Sequence, residues 1–365
     1  MSQEITQLQQ SHGNFFVPAF RILVDGKDLL TNYFMEIASV QVDNTLKGAD
    51  RFTFTLNSTF NFENREFQHL RDTFDFGKPV EIYMGYTGNQ SLTLMLRGMI
   101  TAVQTSFPSS GLPQINVSGY DLSYPMTLGK HSNNWTDQTD TQVVKLIGAK
   151  YGLEVKSDDT KMKHPKTEQS QESDLQFLEK LAERNGFEVY VYDKTLFFRP
   201  PQNNISAAVT LEWGKGLVSF APEINISEQI SKVEVRGWDV LKKAEIVGVA
   251  QRGDEPGRDP GRRSGAEHLR SVARDDDATS LKIRLPVFSK QEAEQRAKAL
   301  LKKRSEMFVQ GSGESIGLPE LMADSNLELK GLGVLFSKTY YVDQTTHTIS
   351  TSGFKTTFKI KESTI

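Results

Sequence analysis

The stretch that most constrains this chain lies at its middle, over residues 167–201, because it reads as helix and hairpin while the sequence on either side reads as strand. Ser173 with Gln176 three positions on makes a capping box, and Leu175, Leu178, Leu181 and Ala182 recur at helical spacing. Arg184, Asn185 and Gly186 supply a basic last turn and a glycine able to take the left-handed conformation that ends a helix. Phe187, Val189 and Val191 then alternate on one strand face, Asp193 and Lys194 turn the chain, and a second short strand is closed by Pro200 and Pro201. A compact α/β unit is inserted between two strand-rich blocks and divides the chain of 365 residues into regions.

The first block spans 15–128. Strand-length runs at 19–24, 38–42 and 51–56, the last with Phe52, Phe54 and Leu56 on one face, precede a polar and aromatic loop at 61–73. Runs at 80–86 and 92–103, joined through Thr87, Gly88, Asn89 and Gln90, and a last run at 114–121 complete six strands, enough for a small barrel. Residues 1–14, rich in Gln and Ser, predict a flexible tail. The α/β insert covers 129–205 and opens with a helix at 141–150 carrying Val143, Val144 and Ile147 on one side.

The second block spans 206–365 and echoes the first. Gln114–Asp121 and Lys232–Asp239 share polar and apolar alternation ending in Gly, aromatic and Asp, and the strand pair 80–86 with 94–103 is matched by 327–332 with 335–342. Two barrels of related design follow from that echo. Within the block, 251–280 is a surface insertion dense in Arg, Asp, Gly and Pro, 289–307 is a helix capped by Ser289 with Glu292, and 310–318 reads as a flexible glycine-rich linker. The expected fold class is mainly β with an α+β insert: two tube-like antiparallel β-barrel domains flanking a small α/β region.

The chemistry in the sequence is sparse. A formal charge of −3 gives no basic footprint for nucleic acid, and the absence of cysteine excludes disulfides and thiol chemistry. No apolar run approaches the ~20 residues a membrane helix needs, so the chain is expected to be cytoplasmic when synthesised. His12, His69, His131, His164, His268 and His347 show no metal-binding spacing, so neither metal nor cofactor is expected. Gly313, Ser315 and Gly317 fit the G-x-S-x-G pattern of a nucleophile elbow, but a helix precedes them and a proline and strand follow, the reverse of the strand-to-helix turn the chemistry requires. Asp275, Asp276 and Asp277 sit in a polar loop that does not hold carboxylates across a cleft. Arg252, Gly253 and Asp254 form a short adhesion-like tripeptide of low specificity. Arg252, Arg258, Arg262 and Arg263 are the candidate partner-contact residues, weighed against a solvated loop because acidic residues are interleaved with them. No catalytic residue is assigned.

Three stretches carry a family resemblance: 117–121, the run from Glu172 through Ser173, Asp174 and Leu175 to Gly186, and Tyr340, Tyr341 and Val342 with His347 and 353–358. On these the chain resembles the phage late-control D family of tail baseplate hub proteins, also found as the N-terminal hub region of VgrG spikes, over nearly all of 20–360. Ser337, Lys338 and Thr339 depart from the family's Ser-Gly at that point, and the 251–280 insertion is longer than the pattern. The resemblance implies a structural, non-enzymatic homotrimer that adapts threefold spike symmetry to a sixfold inner tube. On the same resemblance it would nucleate tube assembly, contact other baseplate subunits and become part of a phage tail or injection particle. Because the sequence stops at Ile365, where VgrG chains continue, a separate spike protein is expected. Two competing classes are a tail-tip enzyme degrading cell wall, for which 131–152 loosely resembles half of a peptidoglycan-binding module, and a carbohydrate- or surface-binding β module using the exposed insertion.

Overall fold

The computed structural model describes residues 3–57, 60–67, 70–88, 91–203, 205–240, 242–254, 261–273 and 279–365. The chain opens with β1 (Gln3–Glu4) and α1 (Ile5–Ser11), then enters the first sheet as β2 (Pro18–Val24), β3 (Glu36–Thr45), β4 (Arg51–Asn57), β5 (Pro79–Tyr86), β6 (Thr93–Ser106) and β7 (Gln114–Asp121). All pairings are antiparallel, in the order β2-β5-β6-β7-β4-β3. Alternation drives the curl: Phe52, Phe54 and Leu56 of β4, Val80, Ile82 and Met84 of β5, and Ile115 and Val117 of β7 all turn inward and are fully buried.

The α/β insert contains α2 (Asp140–Lys150), β8 (Glu154–Ser157), α3 (Asp174–Asn185), β9 (Glu188–Tyr192) and β10 (Thr195–Arg199). Both helices start from full capping boxes, at Thr139 with Gln142 and at Ser173 with Gln176. Gly186 ends α3 at φ 68°, as the helix-stop reading requires. Val143, Val144, Ile147, Phe177, Leu178 and Leu181 pack on the small sheet β8-β10-β9.

The second barrel is built from β11 (Val209–Trp213), β12 (Gly216–Ile224), and, after an excursion, β16 (Val309–Ile316), β17 (Ser325–Lys330), β18 (Thr339–Ser350) and β19 (Gly353–Glu362). The excursion is a second α/β lobe: β13 (Lys232–Asp239), β14 (Ala244–Gln251) and β15 (Ser280–Arg284) form a three-stranded sheet covered by α4 (Lys290–Ser305), with Val233, Val235, Ala293, Ala297 and Leu301 as its core. The six barrel strands make a closed ring, β11-β12-β16-β19-β18-β17 and back to β11. β11 lies parallel to both its neighbours, where antiparallel pairing was expected throughout. It enters from the insert and no hairpin joins it to β17, so the parallel sense of that pair meets no constraint from the connection.

The two barrels are one continuous sheet. β3 pairs with β18 along seven register positions from Gln344↔Thr45 to Ser350↔Ser39. Mainly β with α/β parts is therefore the observed class.

Five local expectations are corrected. Residues 3–15 are not a loose tail: β1 pairs with β11, and Leu8 of α1 is buried in the second core. Lys232–Asp239, matched by pattern to β7, is β13 of the lobe and not a barrel strand; alternation specifies one buried face and is silent on which sheet supplies it. The strand pairs β5 with β6 and β17 with β18 are both antiparallel neighbours, but the run expected at 335–342 begins in a helical turn, Gly333–Phe336, and is strand only from Thr339. The glycine-rich stretch 310–318 is mostly strand, β16, because Gly313 and Gly317 lie under aromatic rings: a Cβ on Gly317 would fall 2.0 Å from Phe354 Cγ. Part of the 251–280 insertion is anchored by the short helix Gly265–Leu269, with Ser264 and Ala266 buried.

Candidate assembly surfaces

The residues singled out for reaction chemistry occupy structural positions. Ser315 lies buried within β16, its hydroxyl donating to the Ile316 carbonyl at 2.9 Å, with no turn to present it. His347 is fully buried on β18, beside Val42 of β3 and Thr356 of β19; its Nδ1 is 3.0 Å from Thr356 Oγ1, and that oxygen also accepts from the Leu318 amide at 2.9 Å. Burial holds the imidazole pKa down at about 4, so it sits in the seam as a neutral ring. His12 touches Glu320 at 2.6 Å. Among the described residues, no group of three or more His, Asp or Glu is arranged to hold a metal ion. His69 and Asp275, Asp276 and Asp277 lie outside the described residues.

The candidate arginines separate into two places. Arg252 follows β14, its amide donating to the Ser231 carbonyl at 2.9 Å. Arg262 reaches the Leu335 carbonyl at 3.5 Å, and Arg263 exchanges two backbone hydrogen bonds with Ile365, of 3.1 and 3.0 Å. This last pair pins the insertion to the end of the second barrel. Arg258 lies outside the described residues.

Sequence patterns did not reveal where the four modules meet. Lys361 of β19 places its ammonium 3.3 Å from Glu188, 3.3 Å from Glu306 and 3.0 Å from Asp343. Burial alone would lower its pKa, yet the three carboxylates raise it above the usual lysine range. Lys302 of α4, driven down by burial, donates to the Gly186 carbonyl at 2.9 Å. These groups line a cavity of about 860 Å³. Beside it α3 and α4 dock: Arg184 grips Asp140, Asn185 donates to Asp140 at 2.6 Å and accepts from Gln295 at 2.6 Å, and Lys303 meets Glu183 at 2.5 Å. His164 stands between Asp140 and Glu292 at 3.6 and 3.5 Å. Lys303 and Glu183 are exposed, but the buried groupings around Lys361 and Asp140 fix how rigid parts are set against each other.

The outward faces differ from these junctions. Across the seam, Thr53, Gln41, Thr348 and Lys355 stand in one row, and Arg51, Asp43, Thr346, Thr357 and Glu314 in the next, so one hydrophilic face runs unbroken over both barrels. Elsewhere Phe60, Phe62, Phe67 and Phe107 gather edge to face, with Phe62 and Phe107 each 64% exposed. Phe62 and Phe67, in the stretch 61–73 read as a polar and aromatic loop, were the available signal. An exposed aromatic cluster of this kind marks a contact surface.

A continuous two-barrel sheet braced by two α/β lobes, with ion groups at the junctions between modules, is a fold shared with solved tail proteins. The chain aligns over 94% of its length with the 43 kDa tail protein of prophage MuSo2 from Shewanella oneidensis, covering 98% of that chain, with a TM-score of 0.71 at 12% identity. It also aligns over 93% of its length with 76% of the c3393 protein of E. coli, a component of the type VI secretion system, with a TM-score of 0.59 at 11% identity. In sequence it is 27% identical over 201 residues to the probable baseplate hub protein of Escherichia phage P2, a match covering 54% of this chain and 49% of that one. The chain thus spans about half the length of the curated relatives it matches. The family model described as the Alg8 N-terminal domain matches residues 16–351, and the chain belongs to that family; the phage P2 and phage 186 relatives it resembles are probable baseplate hub proteins.

Proposed function

We propose that this chain is a structural hub of a phage tail or contractile injection system, acting without catalysis as a homotrimer that adapts a threefold spike to a sixfold inner tube and nucleates tube assembly. One observation carries the reading: a single chain supplies two six-stranded modules fused through β3 and β18, so three copies would present six related docking faces. Edge strands and hairpins would make the tube contacts, by ladder extension or side-chain packing. The spike and other baseplate subunits are further partners, with Arg252, Arg262 and Arg263 as the candidate contact residues. In the assembled state the chain would be part of the virion or particle. Native mass spectrometry of the purified chain, followed by cryo-electron microscopy of the particle, tests it. Three copies with six barrels in one ring are the expected result; a monomer in the particle ends the proposal.

A further inference from the structure

The N-terminal strap joins the body in an unusual way. β1 lies parallel to β11 over only two register pairs, Gln3↔Val209 and Glu4↔Thr210. β11 and β12 are themselves paired over just two positions, Glu212↔Gly216 and Trp213↔Leu217, so the ring is thinnest where the strap lies. Leu8, 2% exposed, joins the second core there, and Ile5 packs so close that a Cβ on Gly216 would come within 2.9 Å of its Cδ1. His12 adds the contact with Glu320.

The link from strap to β2 is bent hard. Gly13, Asn14 and Phe15 all have positive φ, at 56°, 58° and 61°. Glycine adopts this region freely and asparagine tolerates it, but an aromatic residue there is a backbone outlier. Phe16 and Val17, the next two residues, are 80% and 54% exposed. A strap complementary to a thin slot, tied by a few contacts and folded back through three left-handed residues, is the arrangement that strand exchange relieves: an extended link frees the strained backbone, and each copy brings both the strap and the slot.

We propose that residues 3–12 are exchanged between copies of this chain, the strap of one copy filling the β11 slot of its neighbour. The exposed Phe16 and Val17 then lie at the crossing, where a neighbouring copy covers them. The inference is independent of the hub reading, because copies can assemble without trading straps.

The absence of cysteine makes the test clean. Glu4 reaches Lys330 at 3.7 Å, and both lie on the surface. Full-length Glu4→Cys and Lys330→Cys chains, differently tagged, are co-expressed and treated with a short bismaleimide. Exchange predicts a linked species containing both tags. It also predicts that inserting two glycines after Asn14, which relaxes the link, lowers that species severalfold. Linkage confined to single chains, seen with the Glu4→Cys/Lys330→Cys double variant while the mixture stays unlinked, overturns the proposal. So does a mixed product that the glycine insertion leaves unchanged, since that would report neighbouring copies with unexchanged straps.

Discussion

The two barrels have six strands each and the same inward alternation, yet they close differently. The second is a hydrogen-bonded ring, completed where β17 meets both β11 and β18. In the first, β2 and β3 do not pair with each other among the described residues, and β3 instead continues into β18 of the other barrel. Side chains from that neighbour seal the gap: Ile349 and Phe354, at the tip of the β18–β19 hairpin, belong to the first core. One barrel is therefore self-sufficient, while the other is finished by its partner within the chain. Strand count and alternation set how much apolar surface a module buries; edge pairing decides whether it stands alone.

The strongest test of that asymmetry uses two phenylalanines of one strand. Phe354 and Phe358 point inward from β19 four residues apart, the first into the open barrel and the second into the ring. Truncating a buried phenylalanine costs about 3–5 kcal/mol, so each alanine variant should lose roughly that much in urea unfolding. The comparison lies in where the loss appears. Hydrogen exchange should rise in β2 and β3 for Phe354→Ala, and in β11 and β12 for Phe358→Ala. Equal deprotection of both barrels by either change would show a single cooperative core.

Much of this was legible before any coordinates. The capping boxes, the stop at Gly186 and the inward faces of β4, β5 and β7 follow from local spacing, which short-range sterics and burial enforce. The lobe formed by β13, β14, β15 and α4 was hidden, because a strand in a satellite sheet alternates just as a barrel strand does. The strap was missed since Leu8 is its single fully buried apolar side chain, too little for a pattern. Long-range ion groupings such as Lys361 with Glu188, Glu306 and Asp343 leave no trace in sequence spacing; they arise only when distant segments meet. The seam gave no sign of itself either: only the structure shows the histidine at position 347 facing inward.

That histidine gives the next test, on the seam between the barrels. Its folded pKa of about 4 lies below the ordinary value of 6.5. As pH falls from 6.5 towards 4 the unfolded chain takes up the proton first, so the folded state loses stability over that window and keeps its full value above it. A difference of this size corresponds to about 3 kcal/mol. His347→Gln, which retains a hydrogen-bonding partner for Thr356, should flatten the dependence of urea midpoints between pH 7 and 4. If the slope persists in the variant, the titrating group lies elsewhere.

The smallest effect is expected at the far end of the first barrel, and it has the opposite sign. Asp121, the last residue of β7, is buried with its carboxylate accepting from the Ser123 amide at 3.0 Å, close to Asp50, whose carboxylate accepts from Asn44 and the Thr45 amide at 2.8 and 2.7 Å. Burial raises the Asp121 carboxyl to about 7 despite these donors, and burial with the neighbouring Asp121 raises Asp50 as well. The pair therefore keeps a proton in the folded state that the unfolded chain has already released near pH 4, so stability falls as pH rises from about 4 to 7. Asp121→Asn removes the charge that must be accommodated and keeps an oxygen to accept from Ser123. It should raise stability by about 2.5 kcal/mol at pH 7.5 and do little at pH 5. Hydrogen exchange at the β4 and β7 ends, compared at those two pH values, localises the change; a variant equally destabilised at both would mean that the aspartate is held as an anion and that the open barrel's end is not acid-stabilised.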